Sequence, residues 1–322
     1  MLLNRHIEEA AKIIKRGGVV AFPTETVYGL GANALDPAAV AKIFALKERP
    51  VFDPLIVHIA SVQDIAPLIS VSDDRISLLA DRFWPGPLTI VLPKSDIVPD
   101  IVTSGLPTVG IRIPDNEIAL ELIRLSGSPI SAPSANKFGR ISPTDAKHVR
   151  RQLPELECIL DGGSTKVGIE STVISLNRDG FIILREGFIT SDELETIIPK
   201  SKSRYTDAPL ASPGLLKSHY SPQKPIFIED ELTKKSIAFL KESDSSKGAY
   251  ISFSGKSPSE YSRVEYLSHT ADLKEAAVNL FGILHTLEEC DGVEFIVSES
   301  VPERGIGLAI MDRLRKASYR YR

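Results

Sequence analysis

The chain has 322 residues, 43 % of them apolar and 25 % charged, which excludes a disordered or fibrous protein and, at roughly 150 residues per domain, points to two domains. A net charge of −4 removes the whole-chain basic signature of a nucleic-acid binder and leaves only a local basic groove open. Two cysteines, Cys158 and Cys290, with no second ligand beside either, exclude a disulfide framework and a multi-cysteine metal site and point to a reducing, cytoplasmic setting. Arg5, Glu8 and Glu9 interrupt what would be the apolar region of a signal peptide, and no run approaches 18 apolar residues, so neither secretion by that route nor a membrane span is expected.

Ile7, Ala10, Ala11 and Ile14 recur at helical spacing and stop at Gly17-Gly18, predicting an amphipathic helix over about 4–16 with a glycine C-cap. VVAFP reads as a short buried strand. Asp36-Pro37 starts a second helix that carries Val40, Ile43, Phe44 and Lys47, and LIVHIA (55–60) returns as a strand. A Ser72-capped helix over SDDRISLLADRF, strands LTIVLP and TVGIRIP, and the helix NEIALELIRLSG follow. Strands are further expected at 157–161, 171–177 and 181–185, with a helix near 191–198. Three strand candidates run together after residue 157, so the expected fold class is α/β with a mixed sheet over residues 1–200. Residues 201–224, rich in Pro, Ser and Lys, read as a linker. Four strands alternating with helices over 225–322 then predict a smaller open parallel sheet.

The common enzyme signatures are missing: the sequence holds no GxxxxGK[ST], GxGxxG, HExxH or GxSxG. Four segments nevertheless carry more polar groups than turns require. PTETVYGLG (23–31) puts Thr24, Glu25, Thr26 and Tyr28 at the end of a strand, where open α/β sheets place ligands; an ordinary glycine turn is the rival. LKERPVFDPLIVH (46–58) brackets a helix end with Lys47 and Arg49, a pair suited to a polyphosphate. Cations at a helix C-terminus, and a structural His58, are its bland alternatives. SAPSANKFGRISPT (131–144) crowds Ser131, Ser134, Asn136, Ser142 and Thr144 into a loop before a helix, a setting for an anion or simply a loop N-capped by Thr144. Arg112 and Arg185 sit inside apolar strands and need an anionic partner, either a ligand or an internal salt bridge.

Together PTETVYGLG, KERP with PLIVH, GLPTVGIRIP, SAPSAN, GIESTVI, ILREG and the linker SPGLLKSHYSP closely resemble the threonylcarbamoyl-AMP synthase family, the YrdC-domain enzymes, in its long two-domain form. The resemblance implies a twisted mixed-sheet YrdC-like domain followed by a smaller Rossmann-like domain, with the linker as a lid. It implies condensation of L-threonine, bicarbonate and ATP, accompanied by Mg²⁺, to threonylcarbamoyl-AMP and pyrophosphate, the product passing to a tRNA-modifying transferase complex. Carried over by motif, Lys47, Arg49, Ser134, Asn136, Ser142 and Arg185 would hold the ATP phosphates. Thr26, Tyr28, His58, Arg112, Ala132 and Thr172 would surround threonine, with Thr108 between the two ligands and Arg112 on the threonine carboxylate. His219 and Tyr220 would contact the nucleotide from the lid, and no protein-held metal is implied.

Two positions depart from the pattern. Asp53 stands where many members carry asparagine, which leaves its nucleotide contact open and would favour a bridging Mg²⁺; Leu215 replaces a common methionine. Two other readings stay on the table. An RNA-binding module is disfavoured because only Phe138, between Lys137 and Arg140, resembles an aromatic and basic ladder; direct tRNA contact is left open. A related carbamoyltransferase would carry acylphosphatase-like and zinc-finger-like segments that this chain lacks.

Overall fold

A computed structural model describes residues 2–50, 52–202 and 219–321. The strands are β1 (Val20–Phe22), β2 (Gly29–Asn33), β3 (Ile56–His58), β4 (Leu88–Pro93), β5 (Thr108–Arg112), β6 (Ile130–Ser131), β7 (Thr172–Asn177), β8 (Gly180–Arg185), β9 (Ile226–Ile228), β10 (Gly248–Ser252), β11 (Arg263–Tyr266) and β12 (Phe295–Ser298). The helices are α1 (Leu2–Lys15), α2 (Pro37–Lys47), α3 (Asp74–Phe83), α4 (Asp100–Thr103), α5 (Glu117–Ser126), α6 (Ala146–Gln152), α7 (Ser191–Glu195), α8 (Lys234–Glu242), α9 (Leu273–Glu289) and α10 (Gly307–Ser318).

The chain forms two compact units. The first holds the mixed sheet, in the order β1-β2-β6-β3-β5-β4-β7-β8. Its pairs are antiparallel except β3 with β5 and β4 with β7. The second unit holds a four-stranded sheet, order β11-β10-β12-β9, parallel throughout. Gly139–Ser142 and Val167–Ile169, which the sequence places within residues 1–200, group with this second unit.

Local chemistry sets the helix ends. Gly18 N–H bonds to Ile13 O at 2.8 Å and Gly17 N–H to Ile14 O at 3.0 Å, with Gly17 at φ +74°. This is the paired glycine closure expected at residues 17–18. The apolar stripe of α1 packs on Ala119, Leu122 and Ile123 of α5. Asp36 caps α2 through its side chain. Two caps fall one residue later than the sequence reading: Asp73, not Ser72, caps α3, and Asp145, not Thr144, caps α6. In each case a carboxylate oxygen reaches the first free N–H groups better than the neighbouring hydroxyl. Residues 157–161 are not a strand. They touch β1 through a single bridge, Ala21 to Ile159, because β1 is three residues long and Asp161-Gly162-Gly163 turns the chain away. Strand β2, absent from the sequence reading, hides its nature by being Gly-Leu-Gly-Ala-Asn; a Cβ on Gly31 would come within 2.6 Å of both Phe22 and Ile130, so close strand packing demands the glycine.

In the second unit Glu299, just beyond β12, is enclosed by the end of β10. It accepts from Phe253 N at 2.7 Å, Ser254 N at 2.8 Å and Ser254 Oγ at 2.5 Å, and Lys256 Nζ lies 3.3 Å away. Burial opposes its charge, but the Ser254 and Phe253 hydrogen bonds prevail and hold the carboxyl down to about 2.

Candidate active site

Strand alternation divides the central sheet of the first unit. Val57, Ile90, Val109 and Ile111 face the helix-covered core. Their neighbours, with period two, put Ile56 and His58, Thr89 and Val91, and Thr108, Gly110 and Arg112 on the other face. Pro54, Ile56, Thr89, Thr108, Gly110 and Val173 line a hollow there. A side chain at Gly110 would press on Thr89 at 3.2 Å, so glycine keeps the hollow open.

Beside this face cations gather. Lys47, the last residue of α2, is 1 % exposed, and its ammonium donates to Ser134 O at 2.6 Å and Asn136 O at 2.5 Å. An ammonium has three donors, so one remains for a ligand. Burial, reinforced by the neighbouring Arg49 charge, pushes its pKa well below the ordinary lysine value. Arg49 follows Glu48, which closes α2 at φ 54°. Its guanidinium reaches Asp53 O and Pro54 O at 3.0–3.2 Å and lies 2.8 Å from Asp53 Oδ2. Among the described residues that oxygen accepts no hydrogen bond: the guanidinium Nε and Nη2 donate to the carbonyls, and the contact is one of charge. Burial accordingly outweighs Arg49, Lys47 and Arg185 and raises the Asp53 pKa. Arg185, the last residue of β8, bonds Ser171 O at 2.9 Å and Ser171 Oγ at 3.1 Å, and Ser171 Oγ lies 2.8 Å from Thr89 Oγ1.

A second cluster centres on Arg112. Its Nε donates to Gly86 O at 3.2 Å and its Nη2 to Thr26 Oγ1 at 3.0 Å, and Nη2 lies 2.6 Å from Glu25 Oε2. The internal partner weighed from sequence is therefore real. His58 pairs in register with Arg112 across β3 and β5; burial, then the Arg112 charge, push its pKa down to about 3, so its ring is neutral. Ala132 N bonds Ile56 O at the edge of the same region.

Other expected site residues are placed elsewhere or committed already. The Tyr28 hydroxyl donates to Gly163 O at 2.7 Å and accepts from Gly162 N at 3.1 Å, and burial raises its pKa. Thr172 Oγ1 donates to Ile189 O at 2.6 Å. Ser142 belongs to the second unit, where its carbonyl lies 3.1 Å from His285 Nε2. His219 and Tyr220 are buried in that unit too, their rings 4.1 Å apart. Tyr220 packs on Phe281 at 5.4 Å, and Arg313 lies over its ring. Most of the expected linker, residues 203–218 with Leu215, lies outside the described residues. The sequence reading names Glu25 among the polar groups of PTETVYGLG without giving it a role and does not name Ser171 or Thr89; their parts become visible only once Arg112 and Arg185 are placed.

A family model described as "Telomere recombination", of the Sua5, YciO and YrdC proteins, matches residues 12–187. A second, "Threonylcarbamoyl-AMP synthase, C-terminal domain", matches 189–318. This chain belongs to the threonylcarbamoyl-AMP synthase family. Threonylcarbamoyl-AMP synthases of Pyrococcus abyssi and Bacillus subtilis are 44 % and 42 % identical to it, covering 97 % of the chain and 94 % and 92 % of their own lengths. A crystal structure of Sua5 from P. abyssi complexed with L-threonine superposes with a TM-score of 0.86 at 44 % identity, over 98 % of this chain and 95 % of that one. The chain is thus a threonylcarbamoyl-AMP synthase by family, an ATP-using enzyme of nucleotidyl transfer. Among the described residues no helix is long and apolar enough to cross a membrane.

Proposed function

We propose that this face of the central sheet binds ATP through Lys47, Arg49 and Arg185 and L-threonine through Arg112, and condenses them with bicarbonate. The observation that supports this reading is the gathering of buried cations beside one sheet face, Lys47 and Arg49 around Asp53 and Pro54 and Arg112 and Arg185 in one cross-strand row through Thr89 and Val173, the first pair suited to a polyphosphate and Arg112 to a single planar carboxylate. Ser134 and Asn136 would complete the phosphate cradle and, by the family motifs, Ser142, His219 and Tyr220 would contact the nucleotide, while Thr108, in the hollow's lining, would lie between the ligands. Thr26, Tyr28, His58, Ala132 and Thr172 would bound the threonine side.

Threonine nitrogen adds to the bicarbonate carbon and water leaves, giving a carbamate. A carbamate oxygen then attacks the α-phosphorus in line and pyrophosphate departs. Such a transfer needs positioning and charge neutralisation rather than a protein nucleophile, which suits a site of Lys, Arg, Ser and Asn. Asp53 is a buried carboxylate whose Oδ2 accepts no hydrogen bond among the described residues, so it would fit as a single protein oxygen for Mg²⁺ arriving with ATP, whose remaining ligands would be phosphates and water. The ion would screen phosphate charge there. Carbamate and mixed anhydride are both labile in water, so the reaction needs a site from which water is excluded. The product would pass, in the cytosol, to a tRNA-modifying transferase.

The test is a mass-spectrometric assay with ATP, Mg²⁺, bicarbonate and L-threonine, omitting each in turn. Threonylcarbamoyl-AMP and pyrophosphate that require all three substrates are expected. ATP binding without product would turn attention to RNA as the ligand.

A further inference from the structure

We propose that Glu25 holds the ammonium group of the bound amino acid and takes the proton that the amine must lose before it attacks carbon. This rests on the reading of Arg112 as the partner of the threonine carboxylate.

Glu25 is 3 % exposed, yet among the described residues neither carboxylate oxygen accepts a hydrogen bond. Buried acceptors are paired as a rule, and an unpaired one in a native site calls for a cause. Its charged neighbour is Arg112, with Nη2 at 2.6 Å from Oε2. The guanidinium already spends Nε on Gly86 and Nη2 on Thr26, while among the described residues Nη1 donates to nothing. The pair is thus half satisfied on both sides, with one bare donor and two bare acceptors.

An α-amino acid near neutral pH presents the complementary set: a carboxylate needing donors and, one carbon away, an ammonium needing acceptors. With the carboxylate on Arg112 Nη1, the ammonium falls beside the Glu25 oxygens. The charged and titratable groups facing this pair are Arg112 on β5 and His58 on β3, the latter kept neutral by burial; Thr24 and Thr26 contribute only hydroxyls. Among the described residues Glu25 therefore has no competing cation except Arg112, which substrate binding occupies.

The ammonium has no lone pair and cannot attack. Glu25 takes one of its protons: an N–H bond breaks, an O–H bond forms on the carboxylate, and the freed nitrogen pair adds to the bicarbonate carbon. Over the whole step, ammonium and bicarbonate give the N-carboxylate, one water and one proton, which Glu25 releases to solvent.

The experiment compares wild type with Glu25→Gln, reading kcat/KM for L-threonine from pyrophosphate release between pH 6.5 and 9, and ATP affinity by calorimetry. Without the acceptor only threonine that is already neutral at nitrogen is productive. The wild-type to variant ratio should therefore be large at low pH and shrink about tenfold per pH unit below the amine's pKa, with ATP affinity unchanged. A ratio near one, or a deficit flat with pH, overturns the proposal and leaves Glu25 a structural partner of Arg112. Wild type that releases pyrophosphate without threonine overturns the underlying reading instead. Glu25→Asp covers the case of a glutamine chain that does not fold: a lower rate with wild-type pH dependence is expected, and ATP affinity lost in step with threonine affinity refutes.

Discussion

Replacing Arg49 by alanine should do more than weaken ATP binding, because Arg49 is also the counter-charge of a carboxylate that has almost no water. Asp53 is 1 % exposed and has Arg49 Nη2 at 2.8 Å. Removing one member of a buried pair strands the other, at about 3–5 kcal/mol. On a unit of this size that lowers Tm by about 6–20 °C, at about 2–4 °C per kcal/mol. In an Asp53→Asn background no charge is stranded; what remains is the loss of donors to Asp53 O and Pro54 O, about 1 kcal/mol each. The two substitutions should therefore couple by about 2 kcal/mol. Urea unfolding followed by tryptophan fluorescence reads this directly, since Trp84 is the sole tryptophan and is buried at the end of α3 in the first unit. Losses that add to within about 0.5 kcal/mol would show that Asp53 is not the group left uncompensated. A pH arm gives the sign independently. Burial raises the folded pKa of Asp53, so the folded state holds its proton more tightly, and stability should fall as pH rises from about 4 through that raised value. Asp53→Asn should remove this slope.

Arg112→Lys replaces a planar fork by a point charge and should impair threonine use by about tenfold or more while leaving ATP affinity near wild type; equal losses for both substrates in steady-state kinetics would count against a carboxylate clamp. Lys47→Met should abolish ATP binding and also leave Ser134 O and Asn136 O without their donor, about 1–3 kcal/mol each, measured by calorimetry and urea unfolding together. His58, with its folded pKa near 3, binds protons less readily than in the unfolded chain, so its contribution is present above about pH 6.5 and lost as pH falls towards 3. His58→Asn should flatten that part of the stability profile, and an unchanged slope would place the acid sensitivity elsewhere.

The helices and the longer strands were legible because their signals are local: the α1 stripe with its double glycine, the Asp36-Pro37 start, the alternating β5. Strand β2 was not, since a glycine strand has no propensity signal and its reason lies in Phe22 and Ile130, remote in sequence. Residues 157–161 erred the other way, carrying strand composition without a partner long enough to pair. The caps slipped by one because Ser72-Asp73 and Thr144-Asp145 offer two capping residues in succession. Among the site residues, Lys47, Arg49, Arg112 and Arg185 stood out as charges in apolar surroundings. Glu25 was visible only as one polar group of PTETVYGLG, with no partner assigned, and Ser171 was not visible at all, because a serine in a loop is ordinary until burial makes its partner necessary. The placement of Ser142 with the second unit depends on α9, which no pattern around residue 142 announces.

Glu299 has a consequence for how many nucleotides the protein can hold. Where neighbouring strands of a parallel sheet send their connections to opposite sides, backbone N–H groups at the strand ends ordinarily receive a phosphate. Here the N–H groups of Phe253 and Ser254 are spent on a side chain of the same chain, so the receptor comes with its anion built in. A phosphate would have to displace a carboxylate that stays ionised down to about pH 2. The second unit, for all its resemblance to a dinucleotide-binding module, is therefore occupied by its own sequence, and titration with ATP should saturate at one equivalent per chain.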